Sequence, residues 1–439
     1  MKSFVRKHLC VPGLLSRVRY QYKKIPDTAQ KSNKHNLLDC LMSGIALFGL
    51  KYPSLLQFNQ EAQSLAHNLK QLYGVNRVPS DTSFRERLDP IEAMELQRGI
   101  TRIVAQLQRG KVLECYRYLE DYCLVAIDGT GYFSSHEVHC ENCCVKNHRD
   151  GTKTYYHQML SAVIVHPNYR PVFPLMLEPI QKKDGVKKND CEHSALKRML
   201  VNLRKAHPHL KLMVTLDGLY ADGVIIRLLK QLDIRYIISA NEKDLKYLYE
   251  FYHAAKKETR SLQRETREQT LSWANTLPLN ATHPDELVNM LMVDETIHQK
   301  KKSHYQKFAW ITDINIEALM VENLMKGGRA RWKIENETFN TLKNQGYHFD
   351  HNFGHGTKNL SVVMSYLMFT AFLIDQVQEF CCKYFKAALK KIGRLKYLWE
   401  RMRNSFIHFK IDRWEELYTL LASDYRAIPI QSVIASNTS

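Results

Sequence analysis

At 439 residues the chain is too long for one small core, and two or three domains are expected. Apolar content of 44% and charged content of 25% are those of a globular protein and exclude a disordered or fibrous chain. Lys and Arg number 63 against 45 Asp and Glu, a net charge of +18, which calls for a polyanionic partner; nucleic acid comes first, though a ribosomal or membrane-surface role also answers the charge.

Residues 1–120 read as a helical N-terminal domain. The first 40 residues are basic, with Lys2, Arg6, Lys7, Arg17, Arg19, Lys23, Lys24, Lys31 and Lys34 facing only Asp27 and Asp39. No apolar stretch follows the opening charges, so no signal peptide is expected, and the ten cysteines fit a reducing cytoplasm. Leu37, Leu38, Leu41 and Met42 recur at helical spacing, as do Leu96, Ile100, Ile103, Val104 and Leu107. Pro79 to Leu88 reads as a loop and a helix start with Ser80 or Asp81 as the cap. These helices are the expected DNA-binding region, although no clean helix-turn-helix pattern stands in them.

Residues 121–390 change character. Tyr122 to Phe133 is a short apolar run passing through Asp-Gly, and "YYHQMLSAVIVHP" and "RPVFPLMLEPI" are two further strands joined by a turn. A helix follows over Ser194 to Ala206, then a buried strand that ends at Asp217-Gly218, the helix "GVIIRLLKQL" and the strand "IRYIISA". This alternation predicts a mixed α/β domain. Residues 241–310 interrupt it as a polar insertion, with strands expected only at Leu287 to Val293 and Phe308 to Thr312. Helices return from Ile316. The apolar run Val362 to Ile374 is shorter than the roughly 20 residues that span a bilayer and reads as a core helix, so no membrane partner is expected. Residues 391–439 read as a helical C-terminal tail.

Two aspartates share one setting. Asp128 ends "LVAID" and Asp217 ends "LMVTLD", and each is followed by Gly. Singly, an Asp before Gly is a common turn residue. Delivered together to the C-terminal ends of strands, two carboxylates face the ligand crevice of an α/β sheet, and a divalent cation relieves their repulsion. Glu335 and Glu337, in the charged helix "RWKIENETFNTLK", offer a third ligand; about 200° of helix separates them, so only one can face the site.

On these residues the chain resembles DDE-type insertion-sequence transposases of the IS-four group, which carry a Y-R-E-K signature. "AIDGT" with Asp128, "TLDGLYAD" with Asp217, and Arg331 four residues before Glu335 carry the resemblance over roughly residues 122–374. The Tyr position of the signature holds Gly328, and its Lys position holds Leu342, with Lys343 next to it. The resemblance implies an RNase H-like core with a β-rich insertion. It implies a DDE triad of Asp128, Asp217 and Glu335 holding two Mg²⁺ ions, with Mn²⁺ able to substitute, and Arg331 and Lys343 contacting DNA. It also implies cleavage at transposon ends, strand transfer into target DNA, and a homodimer on DNA. A catalytically inactive DNA-binding derivative and a structure-specific nuclease are the alternatives.

The stretch "HCENCCVKNH" suggests a structural zinc site. Cys140 and Cys143 have the Cys-x2-Cys spacing, and the remaining ligands are expected from His139, Cys144, His148, Cys191 or His193, with His148 and Cys191 preferred. A reduced cysteine cluster without metal is the plain alternative. Lys300, Lys301 and Lys302, and the run Lys256 to Arg260, are solvated charges that can follow backbone phosphates.

Overall fold

Fourteen residues, Tyr122–Ser135, form the strand around which the fold is organised (β2), preceded by the two-residue β1, Arg117–Tyr118. The computed structural model describes residues 8–27, 35–182, 190–299 and 302–424. The first half of β2, Cys123 to Ile127, is buried throughout, which is why it reads as an unbroken apolar run and not as an alternation. β3 (Cys144–Asn147), β4 (Lys153–His166) and β5 (Tyr169–Ile180) follow as antiparallel strands. β4 pairs with β2 along one edge, and β3 and β5 share its other edge end to end.

On its other side β2 meets β6 (Leu212–Leu216), which in turn meets β7 (Ile234–Ser239); both pairings are parallel. The crossovers are the helices Glu192–Ala206 and Gly223–Gln231, the second capped by the Asp222 carboxylate, which accepts from the Val224 and Ile225 N–H groups. Among the described residues the sheet has eleven strands. Beyond β7 it continues through β11 (Lys302–Thr312), β10 (His283–Gln299), β9 (Arg267–Asn280) and β8 (Glu258–Arg264), all antiparallel.

The interrupting segment is therefore richer in strand than its sequence suggests: four strands, not two. β8 and the start of β9 are half solvated, so polar residues such as Thr259, Ser261 and Gln263 mask their period-two pattern. Part of the "KKETR" run lies in β8, and Lys257 caps the preceding helix Lys246–Ala254 by donating to the Tyr252, His253 and Ala255 carbonyls.

Most of the remaining helices pack together and reach the sheet at β5. At their centre runs Leu360–Cys381, 22 residues long, whose apolar window is 94% buried inside the protein. The N-terminal helices Val11–Tyr22 and Leu37–Gly49 pack on it, as the Tyr22–Thr370 hydroxyl contact (3.2 Å) and the buried Lys51–Asp375 ion pair (2.7 Å) record. Asn68 donates to the Phe406 and Phe409 carbonyls, tying the N-terminal helices to the C-terminal helix Leu395–His408. Residues 8–27, 35–120, 360–381 and 395–422 thus share one continuous apolar core with the sheet. Ser80 is the cap of the helix Asp81–Leu88, its hydroxyl accepting from the Ser83 N–H.

Candidate active site

The ladder between β2 and β6 sets the first distance. Ala126 pairs with Thr215, so two residues further Asp128 and Asp217 stand level on neighbouring parallel strands, which lie about 4.7–4.9 Å apart. Asp128 is part-buried and Asp217, just past the end of β6, is half exposed.

One cation spans the pair. The Arg331 guanidinium approaches Asp128 Oδ2 at 2.8 Å through one nitrogen and Asp217 Oδ1 at 3.6 Å through another. Its side chain is nearly buried, and its charge lies beside the face of Trp332. Burial raises the Asp128 pKa above its ordinary 3.8; Arg331 and the Gly129 N–H oppose that, while Asp217 and Glu192 add to it.

Glu192 is a carboxylate the sequence reading missed. It begins the helix Glu192–Ala206, and a Cβ on Gly129 would stand 2.6 Å from its Oε1. Only a glycine at 129 leaves room for that approach. Tyr220 donates to Glu192 Oε2 at 3.3 Å, and its own pKa is raised by burial first and then by Glu192, Asp128 and Asp217.

Glu335 lies one turn beyond Arg331, where the helix loosens into an i→i+5 turn over Ile334–Phe339 that packs on β2 and β5. Such π-turns occur often at functional sites. Glu335 is exposed and forms no ion pair among the described residues, whereas Glu337 is taken by Arg170 of β5 at 3.3 Å. Lys343 is not brought to the aspartates; it pairs with Asp350 at 3.6 Å. The extra width of the π-turn and the end of the helix at Asn344 carry it toward the following loop. Gly328 also has a physical reason: a Cβ there would stand 2.5 Å from the Trp310 indole, so no tyrosine fits. Trp332, unremarked in the sequence reading, is 56% exposed beside Arg331.

The cysteine cluster differs from expectation in its partners. Cys140 Sγ lies 3.8 Å from Cys143 Sγ and 3.3 Å from His157 Nε2; Cys143 Sγ lies 3.4 Å from His157 Nε2 and 3.3 Å from His355 Nε2. All four residues are buried, with these atoms within 4.8 Å of one another. His148 instead meets the Thr154 hydroxyl at 2.7 Å, Cys191 is exposed and meets Ser194, Cys144 faces the Ile180 carbonyl, His139 stacks on Tyr155, and His193 pairs with Asp222. Thus His148 and Cys191 are replaced by His157 and His355. His148 lies at the β3–β4 turn, and Cys191 precedes the helix Glu192–Ala206. His157 is an inward position of β4, and His355 is held between Gly354 and Gly356, both at positive φ.

Lys302 opens β11, and Lys300 and Lys301 lie outside the described residues. Compared with models of known protein families and with curated proteins, the chain matches none.

Proposed function

We propose that the chain is a DDE-type DNA transposase that cleaves DNA at the ends of an insertion sequence and joins the freed ends to target DNA. The observation that carries this reading is the placement of Asp128 and Asp217 in register on adjacent parallel strands, spanned by Arg331 from the helix that bears Glu335. The strand order β5-β4-β2-β6-β7, three antiparallel strands and then two parallel, is the order an RNase H-like core requires and supports the finer fold assignment.

The donor set fits Mg²⁺. Hard carboxylate oxygens suit it: Asp128 and Asp217 share a single guanidinium, and Glu192 acts on Asp128 from nearby, an excess of negative charge that divalent cations relieve. Asp128, Asp217 and Glu335 would hold the ions, with Glu192 beside them. Bound Mg²⁺ supplies activation of the attacking hydroxyl and stabilisation of the leaving oxygen in phosphoryl transfer.

The chain's own groups do the rest. Arg331, fixed against Trp332, presents a planar donor fork suited to a phosphate near the scissile bond. The exposed face of Trp332 offers a surface on which an unpaired base can stack. The +18 charge supplies salt-dependent affinity for the backbone. Two DNA ends handled together call for two copies of the chain on DNA, acting in the cytoplasm.

The test is incubation of the full chain with the DNA ends flanking its gene. Nicking at those ends and joining to a second DNA, both dependent on Mg²⁺ or Mn²⁺, are expected. Binding without cleavage at any end or with any divalent metal would overturn the reading.

A further inference from the structure

We infer that Cys140, Cys143, His157 and His355 form a tetrahedral zinc site that cross-braces the strand carrying Asp128 to the segment following Glu335. The site stands on its own geometry, whether or not the carboxylates cleave DNA.

The distances match a metal's demands. Zn–S bonds of about 2.3 Å and Zn–N bonds of about 2.0–2.1 Å at tetrahedral angles set S···S edges of about 3.8 Å and S···N edges of about 3.6 Å. The cluster has 3.8 Å between sulfurs and 3.3–3.4 Å for the three sulfur–nitrogen edges given above. A second observation points the same way. Among the described residues the Nδ1 atoms of His157 and His355 are buried without a hydrogen-bond partner, and the polar contacts of both rings are made by their Nε2 atoms. Both Nε2 atoms face thiols.

Charge explains how such a group is tolerated in a dry place. Two cysteine thiols lose their protons to solvent as the ion binds, and two thiolates with two neutral imidazoles around a dication sum to zero. A neutral centre avoids the cost of a buried net charge. The surrounding rings keep water out: Tyr132 stacks between His157 and Phe349, and Phe133 lies 4.1 Å from the His355 ring.

The ligands come from three places: the loop after β2, strand β4, and the loop before the helix Leu360–Cys381. The same loops meet through the backbone, where the Glu141 N–H donates to the Thr357 carbonyl, and through the Asn142 side chain, which donates to the Lys358 carbonyl. The metal therefore closes a loop of more than 200 residues between Cys143 and His355 (|i−j| 212). The chain leaving the Glu335 turn is anchored to the chain leaving Asp128.

The experiment is metal analysis of the full chain purified without chelator under reducing conditions. About one zinc per chain is expected, the equivalence of a closed four-ligand site. His148→Ala and Cys191→Ser should retain it, and Cys143→Ser should lose it. Should Cys143→Ser fail to fold, wild-type protein exchanged with Co²⁺ gives the independent readout: intense visible d–d bands of a tetrahedral ion and thiolate-to-cobalt charge transfer in the near ultraviolet. Wild-type protein with neither zinc nor those cobalt bands, or with Cys140 and Cys143 joined as a disulfide by mass, would overturn the assignment. Loss of zinc from His148→Ala or Cys191→Ser would overturn the ligand set.

Discussion

The carboxylate site and the cysteine–histidine cluster share one strand but are held by opposite means. β2 carries Asp128 near its middle and leads from its end into the loop with Cys140. The aspartates are fixed by ladder register, sit partly in solvent, and have more negative charge than Arg331 can offset. The cluster is fixed by side chains from distant parts of the chain, is buried, and carries no net charge in the proposed zinc-bound form. If the carboxylates act on DNA as proposed, their open, electrostatically unsatisfied geometry suits a site that accepts phosphate and ions. A site that holds a fold together is closed and balanced.

That contrast is most exposed at Asp128. Asp128→Asn should lower the cleavage rate by at least about a hundredfold, the scale of losing one preorganised group that stabilises transition-state charge. Zinc content should stay at the wild-type level. A variant that loses both would mean the two sites are one unit.

Glu192 sharpens the boundary of the open site. Glu192→Gln should reduce cleavage by about 10- to 100-fold, as for groups that orient metal ligands, and should raise the Mg²⁺ concentration needed for half-maximal rate. Gly129→Ala should do the same, because the added methyl displaces the Glu192 carboxylate. Wild-type metal dependence in both would reduce Glu192 to a helix-end residue.

The uncompensated charge has a pH signature. Burial raises the folded-state pKa of Asp128 above 3.8, so the folded chain holds this proton more tightly than the unfolded chain. The stabilisation is complete below the ordinary carboxylate pKa and is lost as pH rises through the folded value. In Mg²⁺-free buffer, Asp128→Asn should therefore melt above wild type at pH 7, with the gap closing as the pH is lowered through the folded pKa. Equal melting at neutral pH would mean that Arg331 compensates Asp128 fully.

The smallest effect is expected at Lys343. Lys343→Ala removes a part-exposed pair with Asp350, and cleavage should stay within about fivefold of wild type, since exposed pairs contribute at most about 1 kcal/mol. A loss as large as that of Asp128→Asn would show that Lys343 swings to the DNA after all.

The same contrast decides what the sequence could reveal. Asp128 and Asp217 were legible because each ends an apolar run before Gly, and parallel register does the rest. The α/β alternation from Tyr122 to Ser239 was legible for the same reason: buried parallel strands write themselves as apolar runs. Half of the cluster was legible, because Cys140 and Cys143 carry their own spacing. His355 was hidden because loop closure over more than 200 residues leaves no local pattern, and His157 because a lone histidine within an apolar strand carries no ligand spacing. The Gly-His-Gly of residues 354–356 is the one trace. Glu192 was hidden because nothing in the sequence ties a helix start to the two aspartates, and Lys343, which the resemblance offered beside Leu342, pairs with Asp350. Strands β8 and β9 were passed over because solvated faces blunt hydrophobic alternation.

The most direct test of the proposed chemistry is Asp217→Asn, with cleavage and DNA binding measured in the same Mg²⁺ buffer. Asp217 is half exposed and its carboxylate, among the described residues, meets only the Arg331 ion pair at 3.6 Å, so the substitution keeps shape and packing while removing a ligand charge. Cleavage should collapse while DNA affinity and its salt dependence remain, because affinity comes from many Lys and Arg side chains. Cleavage near the wild-type rate would make Asp217 a turn residue and contradict the catalytic assignment.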